Sequence, residues 1–215
     1  MITWAGIDVL DTLDELMDPK HTALVMWDFA ERIVGNTFNA DDLVQHSQDL
    51  LAAARRNGVP IFYSHQNNMN LMGDTGAPTL RMRMHRAGKG VSALMELPEP
   101  TGQPGKPKLV EAVTPQEGDI IFEKFSPNAF LGTGFEWWLK KFSIKTIVLT
   151  GVNIATGISG TAREAINLGY YAVVAKDCCG TRTQEDWDIA VASMERLFDV
   201  LTADEIIEIW DRSKG

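Results

Sequence analysis

The chain has 215 residues, of which 45% are hydrophobic and 23% charged, which suits one globular α/β domain with a substantial core. Twenty basic residues against twenty-nine acidic ones give a formal net charge of −9, which argues against non-specific binding to nucleic acid or to an anionic membrane. No apolar run approaches the roughly 20 residues that a membrane-spanning helix needs. The acidic N-terminus lacks the basic start of a signal peptide. We therefore expect a cytoplasmic protein.

Short apolar runs alternate with segments of helical periodicity along the chain. The runs predict strands over 22–29, 59–66, 118–125, 145–151 and 170–178, and a further short strand at the start of 199–210. The periodic segments predict helices over 41–58, 134–142, 159–169 and 184–198, and a last helix at the end of 199–210. Residues 67–107 are rich in Gly, Pro and Met and are interpreted as a long excursion.

This alternation predicts the fold class. Apolar strands separated by helices are typical of a mostly parallel sheet that is covered on both faces. Because such crossovers are right-handed, we expect an α/β protein, a three-layer α/β/α sandwich with a doubly wound sheet. No repeat or heptad pattern occurs, so we expect a single domain over 1–215. Its N-terminal arm, 1–21, is expected to pack on the body or on a partner subunit.

Polar residues and a small-residue turn follow four of the predicted strands. They are Asp28, His65, Lys124 and the turn 151–159. Ligands of doubly wound sheets bind beyond the carboxyl ends of the strands. The sequence therefore predicts that these four elements share one crevice.

The only two cysteines, Cys178 and Cys179, are adjacent. Neighbouring cysteines rarely pair because the disulfide geometry is strained. Two cysteines are also too few for a structural zinc site. We expect a small buried pair in a reducing compartment and not a displaced nucleophile.

Three segments together resemble the isochorismatase-like hydrolase superfamily, which includes nicotinamidases, carbamoylsarcosine amidases and isochorismatases. They are LVMWDF with Asp28, EKFSPNAFLGT with Lys124, and TGVNIATGISGTAREAINLGY, and the resemblance covers about 22–205. It implies that Asp28 and Lys124 are catalytic. It also implies a cofactor-free enzyme that acts on a small molecule and forms a homo-oligomer, a dimer or a tetramer.

The third segment differs from the amidase branch at one position. Amidases carry a nucleophilic Cys between its Gly-Val and Thr-Ala pairs. A gapless match through Gly151-Val152 and Thr161-Ala162 places Gly157 there, whereas placing Ser159 there needs an insertion and a deletion. Gly157 has no side chain with which to attack a carbonyl, so the resemblance is to a member that lacks the nucleophilic cysteine.

Isochorismatases resemble this chain in carrying Gly at that position, although they have a His where this chain has Ala155. Their vinyl-ether substrate needs no covalent step, because protonation of the enol carbon gives an oxocarbenium ion that water attacks. Asp28 is then the acid, Lys124 its electrostatic partner, and Gly157 leaves space for substrate or water.

The resemblance also implies a substrate-binding role for the loop backbone. A cis peptide is expected at Val152–Asn153, with N–H groups of the loop, which includes Thr156, facing a substrate oxygen as an oxyanion hole. His65 is predicted to hydrogen-bond in the pocket. A metal site is not expected, since Tyr63 stands where the nicotinamidase branch has an Asp ligand. Further pocket candidates are Asn36, Phe38 and Phe130, and the arginines available for a carboxylate are Arg81, Arg83 and Arg86.

These residues predict a hydrolase of a small carbonyl- or carboxylate-bearing molecule that uses Asp28 without a cysteine. Two alternatives stay open. One is a binding or regulatory protein of the same fold that has lost catalysis. The other is an amide or ureide hydrolase in which water, or the hydroxyl of Thr156 or Ser159, replaces the thiol.

Overall fold

The computed structural model describes residues 1–66, 76–96 and 107–213. The chain forms two compact units, Met1–Gln66 with Pro107–Gly215, and Asn67–Lys106. The prediction of one domain over 1–215 stays a prediction. The elements in chain order are β1 (Ile2–Trp4), β2 (Ile7–Val9), α1 (Leu13–Leu16), β3 (Thr22–Trp27), α2 (Glu31–Val34), α3 (Ala40–Asn57), β4 (Ile61–Gln66), α4 (Ala77–Arg86), β5 (Ile120–Lys124), α5 (Phe135–Lys141), β6 (Thr146–Val152), α6 (Ser159–Asn167), β7 (Tyr171–Gly180), α7 (Gln184–Met194), β8 (Asp199–Leu201) and α8 (Ala203–Arg212).

The larger unit is built on a six-stranded sheet in the order β5-β4-β3-β6-β7-β8, and every pair in it is parallel. From β3 the chain moves outward through β4 and β5, then returns to the other side of β3 as β6. The strand order therefore reverses between β3 and β6. In doubly wound sheets this reversal opens a crevice at the carboxyl ends of the two strands.

Side chains alternate between the two faces of the sheet. Along β3, Leu24 and Met26 join one buried cluster, while Ala23, Val25 and Trp27 join the other. The first cluster includes side chains of α3 and α8, and the second includes side chains of α5, α6 and α7. The sheet is thus covered by helices on both faces, and the predicted three-layer α/β/α fold is confirmed.

The predicted strands all coincide with observed ones, and the differences lie at their ends. β3 ends at Trp27, two residues early, because Asp28 adopts a positive φ of 52° that an extended strand does not accommodate. α3 ends at Asn57, and the predicted stop, Gly58, caps it with a φ of 70° in the left-handed region. α7 ends at Met194 and not at 198. The short helix α2 was not predicted from the sequence.

The N-terminal arm divides into a packed part and an exposed part. Leu16 and Met17 lie in the core, and Thr146 Oγ1 donates a hydrogen bond to the Leu16 carbonyl at 2.6 Å. The antiparallel hairpin β1–β2 exposes Trp4 and Ile7. Packing of the arm on the body is therefore observed for its second half, while the predicted partner subunit stays a prediction.

The smaller unit contributes α4 and a 3₁₀ turn, Val91–Glu96, to the described residues. Arg81, Arg83 and Arg86 lie on α4 and are exposed, whereas Met84 is buried. Among the described helices of both units, none combines the length and the apolar character needed to cross a lipid bilayer.

Candidate active site

Asp28 and Lys124 form an ion pair at the carboxyl ends of the strands. Asp28 directly follows β3, and Lys124 is the last residue of β5, with β4 between the two strands. Lys124 Nζ lies 2.8 Å from Asp28 Oδ2, and the two side chains are 1% and 12% exposed. The positive φ of Asp28 is uncommon for a residue with a side chain, and such conformations cluster at functional sites.

Burial changes the pKa of Lys124, the cationic partner in this pair. Loss of solvation of the ammonium lowers the pKa of Lys124, and the negative charge of Asp28 opposes that shift. The same Nζ lies 4.2 Å from the centroid of the Trp27 ring, a distance at which the π face attracts a cation. Asp28 and Trp27 together hold the ammonium in a place with almost no solvent.

A small cavity of about 10 Å³, enough for one water molecule, opens beside Asp28. Ser64 and His65, at the end of β4, line it with apolar side chains and the segment after Lys106; the apolar residues are Ala30, Ile33, Pro107 and Leu109. That segment is fixed by hydrogen bonds from Glu31 N–H to the Lys108 carbonyl at 2.8 Å and from Val110 N–H to the Phe29 carbonyl at 3.0 Å.

Two polar atoms at this cavity are available to a ligand. Ser64 Oγ and His65 Nε2 are buried, and neither has a hydrogen-bond partner within 1–66, 76–96 and 107–213. Buried polar groups are nearly always paired in proteins, so such atoms point to a ligand or water as their partner. Burial also lowers the pKa of His65, which keeps its imidazole neutral at neutral pH.

The loop after β6 forms the third side of the site. The Val152–Asn153 peptide is cis, and Ile154–Ile158 form one π-helical turn that runs directly into α6. Asn153 organises this turn: its Oδ1 accepts the Ala155 N–H at 2.8 Å, and its Nδ2 donates to Thr181 Oγ1 at 2.8 Å. The Asn153 carbonyl accepts the N–H groups of Thr156 and Ile158. The Thr156 N–H is thus used within the turn, contrary to the expectation that it faces a substrate oxygen.

Gly157 lies in this turn and is packed against Trp27. A Cβ atom at Gly157 would lie 2.4 Å from Trp27 Nε1, closer than real Cβ contacts allow. The indole therefore contacts the Lys124 ammonium and also fills the space beside Gly157.

Comparison with known proteins agrees with this geometry. The sequence profile of the isochorismatase domain matches residues 22–205. The chain belongs to the isochorismatase family. It is 28% identical over 203 residues to the isochorismatase family protein YecD of Escherichia coli O157:H7, covering 89% of this chain and 97% of that one. It is 26% identical over 180 residues to ureidoacrylate amidohydrolase RutB of Pseudomonas syringae, covering 75% and 71%.

Solved structures show the same fold. A cysteine hydrolase from Pseudomonas syringae pv. phaseolicola 1448A superposes with a TM-score of 0.75 at 22% identity, covering 91% of this chain and 95% of that one. Family membership and the amidohydrolase relatives support a hydrolase of small molecules, with a substrate that they do not identify.

In this isochorismatase family member, two further residues that were predicted to line the pocket, Phe38 and Asn36, lie outside the Asp28 cavity. Phe38 packs edge-on against Trp187, and its N–H donates to the carbonyl of Thr181, the side-chain partner of Asn153. Asn36 is exposed and donates to the Arg32 carbonyl at 2.5 Å. Neither residue lines the cavity.

Phe130 lies elsewhere, partly buried against the cluster that includes side chains of α5. It packs against Phe135 and Tyr170, and Tyr170 directly precedes β7, at the amino ends of the strands. The structure therefore does not bring Phe130 to the cavity. Among the described residues, no group of three or more His, Cys, Asp and Glu side chains is placed to hold a metal ion.

Cys178 and Cys179 lie on opposite faces of β7, one in each buried cluster, and both are fully buried. Burial raises the pKa of both thiols well above the ordinary cysteine value, so they stay protonated.

We predict that neither cysteine, Cys178 or Cys179, reacts with iodoacetamide in the folded protein and that both react after denaturation. Intact-protein mass spectrometry measures this. Native alkylation with loss of turnover would make one of them a candidate nucleophile.

The sequence alone did not indicate Trp27 or Ser64 as site residues. Trp27 stands next to Asp28 in LVMWDF, and its bulky aromatic side chain at a strand end was the signal available. Ser64 gave none, because a serine inside an apolar strand is common.

Proposed function

We propose that this protein hydrolyses a small carbonyl- or carboxylate-bearing molecule by acid–base chemistry at Asp28, without a covalent intermediate and without a cysteine. The observation that carries the proposal is the 2.8 Å Asp28–Lys124 pair beside a cavity, with Gly157, which has no side chain, packed against the Trp27 ring. The fold supports it, because the pair lies at the strand-order reversal.

A vinyl ether is the substrate class that fits these groups. The Asp28 carboxyl transfers its proton to the enol carbon, and the electron pair of the C=C bond forms the new C–H bond. The ether oxygen supplies a lone pair to give an oxocarbenium ion, and water adds to that carbon while losing a proton to the Asp28 carboxylate. Collapse of the resulting hemiketal releases an alcohol and a ketone. One carboxyl group at hydrogen-bond reach is sufficient for this sequence.

Lys124 stays an ammonium in this scheme and holds Asp28 through the 2.8 Å contact between its Nζ and Asp28 Oδ2. The proton that Asp28 gives to the enol carbon returns to it from the water that adds to the oxocarbenium ion. While Asp28 is a carboxylate, the neighbouring ammonium stabilises it electrostatically.

His65 and Ser64 orient the substrate in this proposal. The neutral imidazole Nε2 and the Ser64 hydroxyl face the cavity without partners among the described residues, and they bind a carbonyl or carboxylate oxygen as donors. The apolar lining from Ala30, Ile33 and Leu109 excludes water from the rest of the substrate.

A second candidate is amide or ureide hydrolysis by water that Asp28 activates as a base. The similarity to ureidoacrylate amidohydrolase favours it. A third is a small-molecule-binding protein without turnover, which the same cavity supports. The three differ in their products, so one assay separates them.

The test is a mass-spectrometric turnover screen of the purified protein against vinyl ethers, amides, ureides and cyclic imides, beside Asp28→Asn. We expect turnover of a vinyl ether by the wild type and its loss in the variant. Asp188→Asn is the matched control, because Asp188 is exposed on α7 and contacts Gln184 of the same helix.

Other outcomes contradict the proposal in recognisable ways. Turnover of amides or ureides alone, lost in Asp28→Asn, replaces it with the second candidate. Binding of a panel compound without any product supports the third. Turnover that survives in Asp28→Asn removes Asp28 from the chemistry altogether.

A further inference from the structure

Trp27 fills the space beside Gly157. It is the last residue of β3, it is 1% exposed, and it packs in the same cluster as Ile154 and Ile158 of the π-helical turn. A Cβ atom at Gly157 would lie 2.4 Å from Trp27 Nε1, 2.5 Å from Cε2 and 2.7 Å from Cζ2. Contacts below 3.0 Å require a neighbour to move. Position 157 therefore accepts no side chain while the indole keeps its place.

The indole has little freedom to move away. The Trp27 backbone pairs with Gly151 on one side and with Ser64 on the other. Gly151 approaches so closely that its own Cβ would lie 2.0 Å from the Trp27 carbonyl oxygen. The ring itself lies in a core of native packing density, where a bulky aromatic group moves only if its neighbours also move.

The same ring supports the charged pair. Lys124 Nζ lies 4.2 Å from its centroid and 2.8 Å from Asp28 Oδ2. The π face attracts the ammonium, and its apolar surface removes water from it. Trp27 thus borders both the charged pair and position 157, which the resemblance aligns with the nucleophile of the amidases.

We propose that Trp27 is a positioning residue that keeps this site free of a side-chain nucleophile: its indole takes the nucleophile's volume and holds Lys124 against Asp28. The inference rests on the proposed function, because it treats Gly157 as part of the catalytic site. It has a specific consequence. A cysteine side chain at position 157 is accommodated, and faces the Lys124 ammonium, only when the indole is shortened.

The test compares the wild type with Trp27→Leu, Gly157→Cys and the double variant. Leucine retains apolar contacts near the backbone and removes Nε1, Cε2 and Cζ2, the three atoms that a side chain at 157 would meet. We expect Gly157→Cys alone to lower the Tm by roughly 2–12 °C, as overpacking in a core does. In the Trp27→Leu background the same substitution lowers the Tm by much less, so the two shifts are not additive.

The second readout is the pH profile of iodoacetamide alkylation, in which the thiolate introduced by Gly157→Cys displaces iodide and forms a thioether. In the folded double variant we expect alkylation at least tenfold faster at pH 7 than in the single variant Gly157→Cys. In the double variant, the midpoint of the pH profile of alkylation lies below the ordinary cysteine pKa of about 8.5, because Lys124 stabilises the thiolate. Adding Lys124→Met returns the midpoint toward the ordinary value, a change that a purely structural role of Trp27 does not produce.

Ala155→Cys is the matched control, since Ala155 lies exposed in the same turn. It is expected to react equally in both backgrounds with an ordinary midpoint. Additive Tm shifts, or equal alkylation of the thiol introduced at position 157 with and without the indole, would overturn the inference. Neither readout needs a substrate, so failure of the turnover screen leaves them interpretable, and their failure leaves the screen interpretable.

Discussion

Asp28→Asn is expected to lower turnover by a factor of roughly 10²–10⁴, the contribution of a well-placed general acid or base. The amide cannot donate a proton to carbon or accept one from water. The change keeps the shape of the side chain, and Asn Oδ1 still accepts a hydrogen bond from Lys124 Nζ, which lies 2.8 Å from the carboxylate oxygen. We therefore expect the fold to be retained.

Turnover is measured by product mass at saturating substrate, and folding by circular dichroism and thermal unfolding of the same samples. Asp188→Asn, on the exposed face of α7, serves as the control for a lost carboxylate. An Asp28→Asn variant with native spectra and turnover within a factor of two of the wild type would contradict acid–base catalysis by Asp28.

The second large effect concerns stability. Asp28→Ala leaves the Lys124 ammonium, 1% exposed, without its carboxylate. Breaking a buried ion pair by removing one partner costs about 3–5 kcal/mol, which corresponds to a Tm lowered by roughly 6–20 °C for a domain of this size. Lys124→Met is expected to cost less, because methionine packs against Trp27 and leaves Asp28 partly solvated. The double variant recovers most of the loss, since it has no buried charge.

The loss in Asp28→Ala depends on pH. Burial lowers the pKa of Lys124 in the folded protein and the charge of Asp28 opposes that shift, so removing Asp28 lowers the folded-state pKa further. Between the folded and unfolded pKa values the unfolded chain binds more protons, and stability therefore rises with pH. The loss in free energy of unfolding of Asp28→Ala relative to the wild type is largest near neutral pH. It shrinks as the pH rises toward 10.5, the ordinary pKa of lysine.

Urea unfolding at pH 7, 8 and 9 measures this dependence. The Asp28→Ala/Lys124→Met double variant is the control, because it lacks the titrating group and its deficit stays constant. A deficit in Asp28→Ala that is absent, or that does not change with pH, would mean that Lys124 does not carry a buried charge.

The fold was predictable because burial on both faces leaves a simple pattern. Runs such as TALVMW have no polar alternation, so they indicate a strand covered on both faces, and Gly58 marks the end of α3 by a backbone conformation that favours glycine. The extra turn of π-helix before α6 was not predictable. Its hydrogen bonds depend on the Asn153 side chain and carbonyl, and no residue preference distinguishes this geometry from an ordinary helix start.

The candidate site was predictable to the extent that strand ends determine it. Asp28 and Lys124 follow from the rule that ligands bind at the carboxyl ends of parallel strands, together with the resemblance. The residues that line the cavity were not predictable from the sequence. Ser64 and Ile33 come close to Asp28 only because β3 pairs with β4 and the chain turns at α2. Phe130 looked equally suitable for a pocket, but it packs against Phe135 and Tyr170, away from the cavity.

The most direct test of acid catalysis at Asp28 is hydrolysis of a vinyl ether by the wild type and by Asp28→Asn in oxygen-18 water, followed by the masses of both products. Protonation of the enol carbon directs water to the oxocarbenium carbon and leaves the ether oxygen in the alcohol. We therefore predict turnover by the wild type that is lost in Asp28→Asn, with an alcohol product that carries no label. An alcohol product that carries the label would show that water cleaved the other C–O bond and would contradict the account.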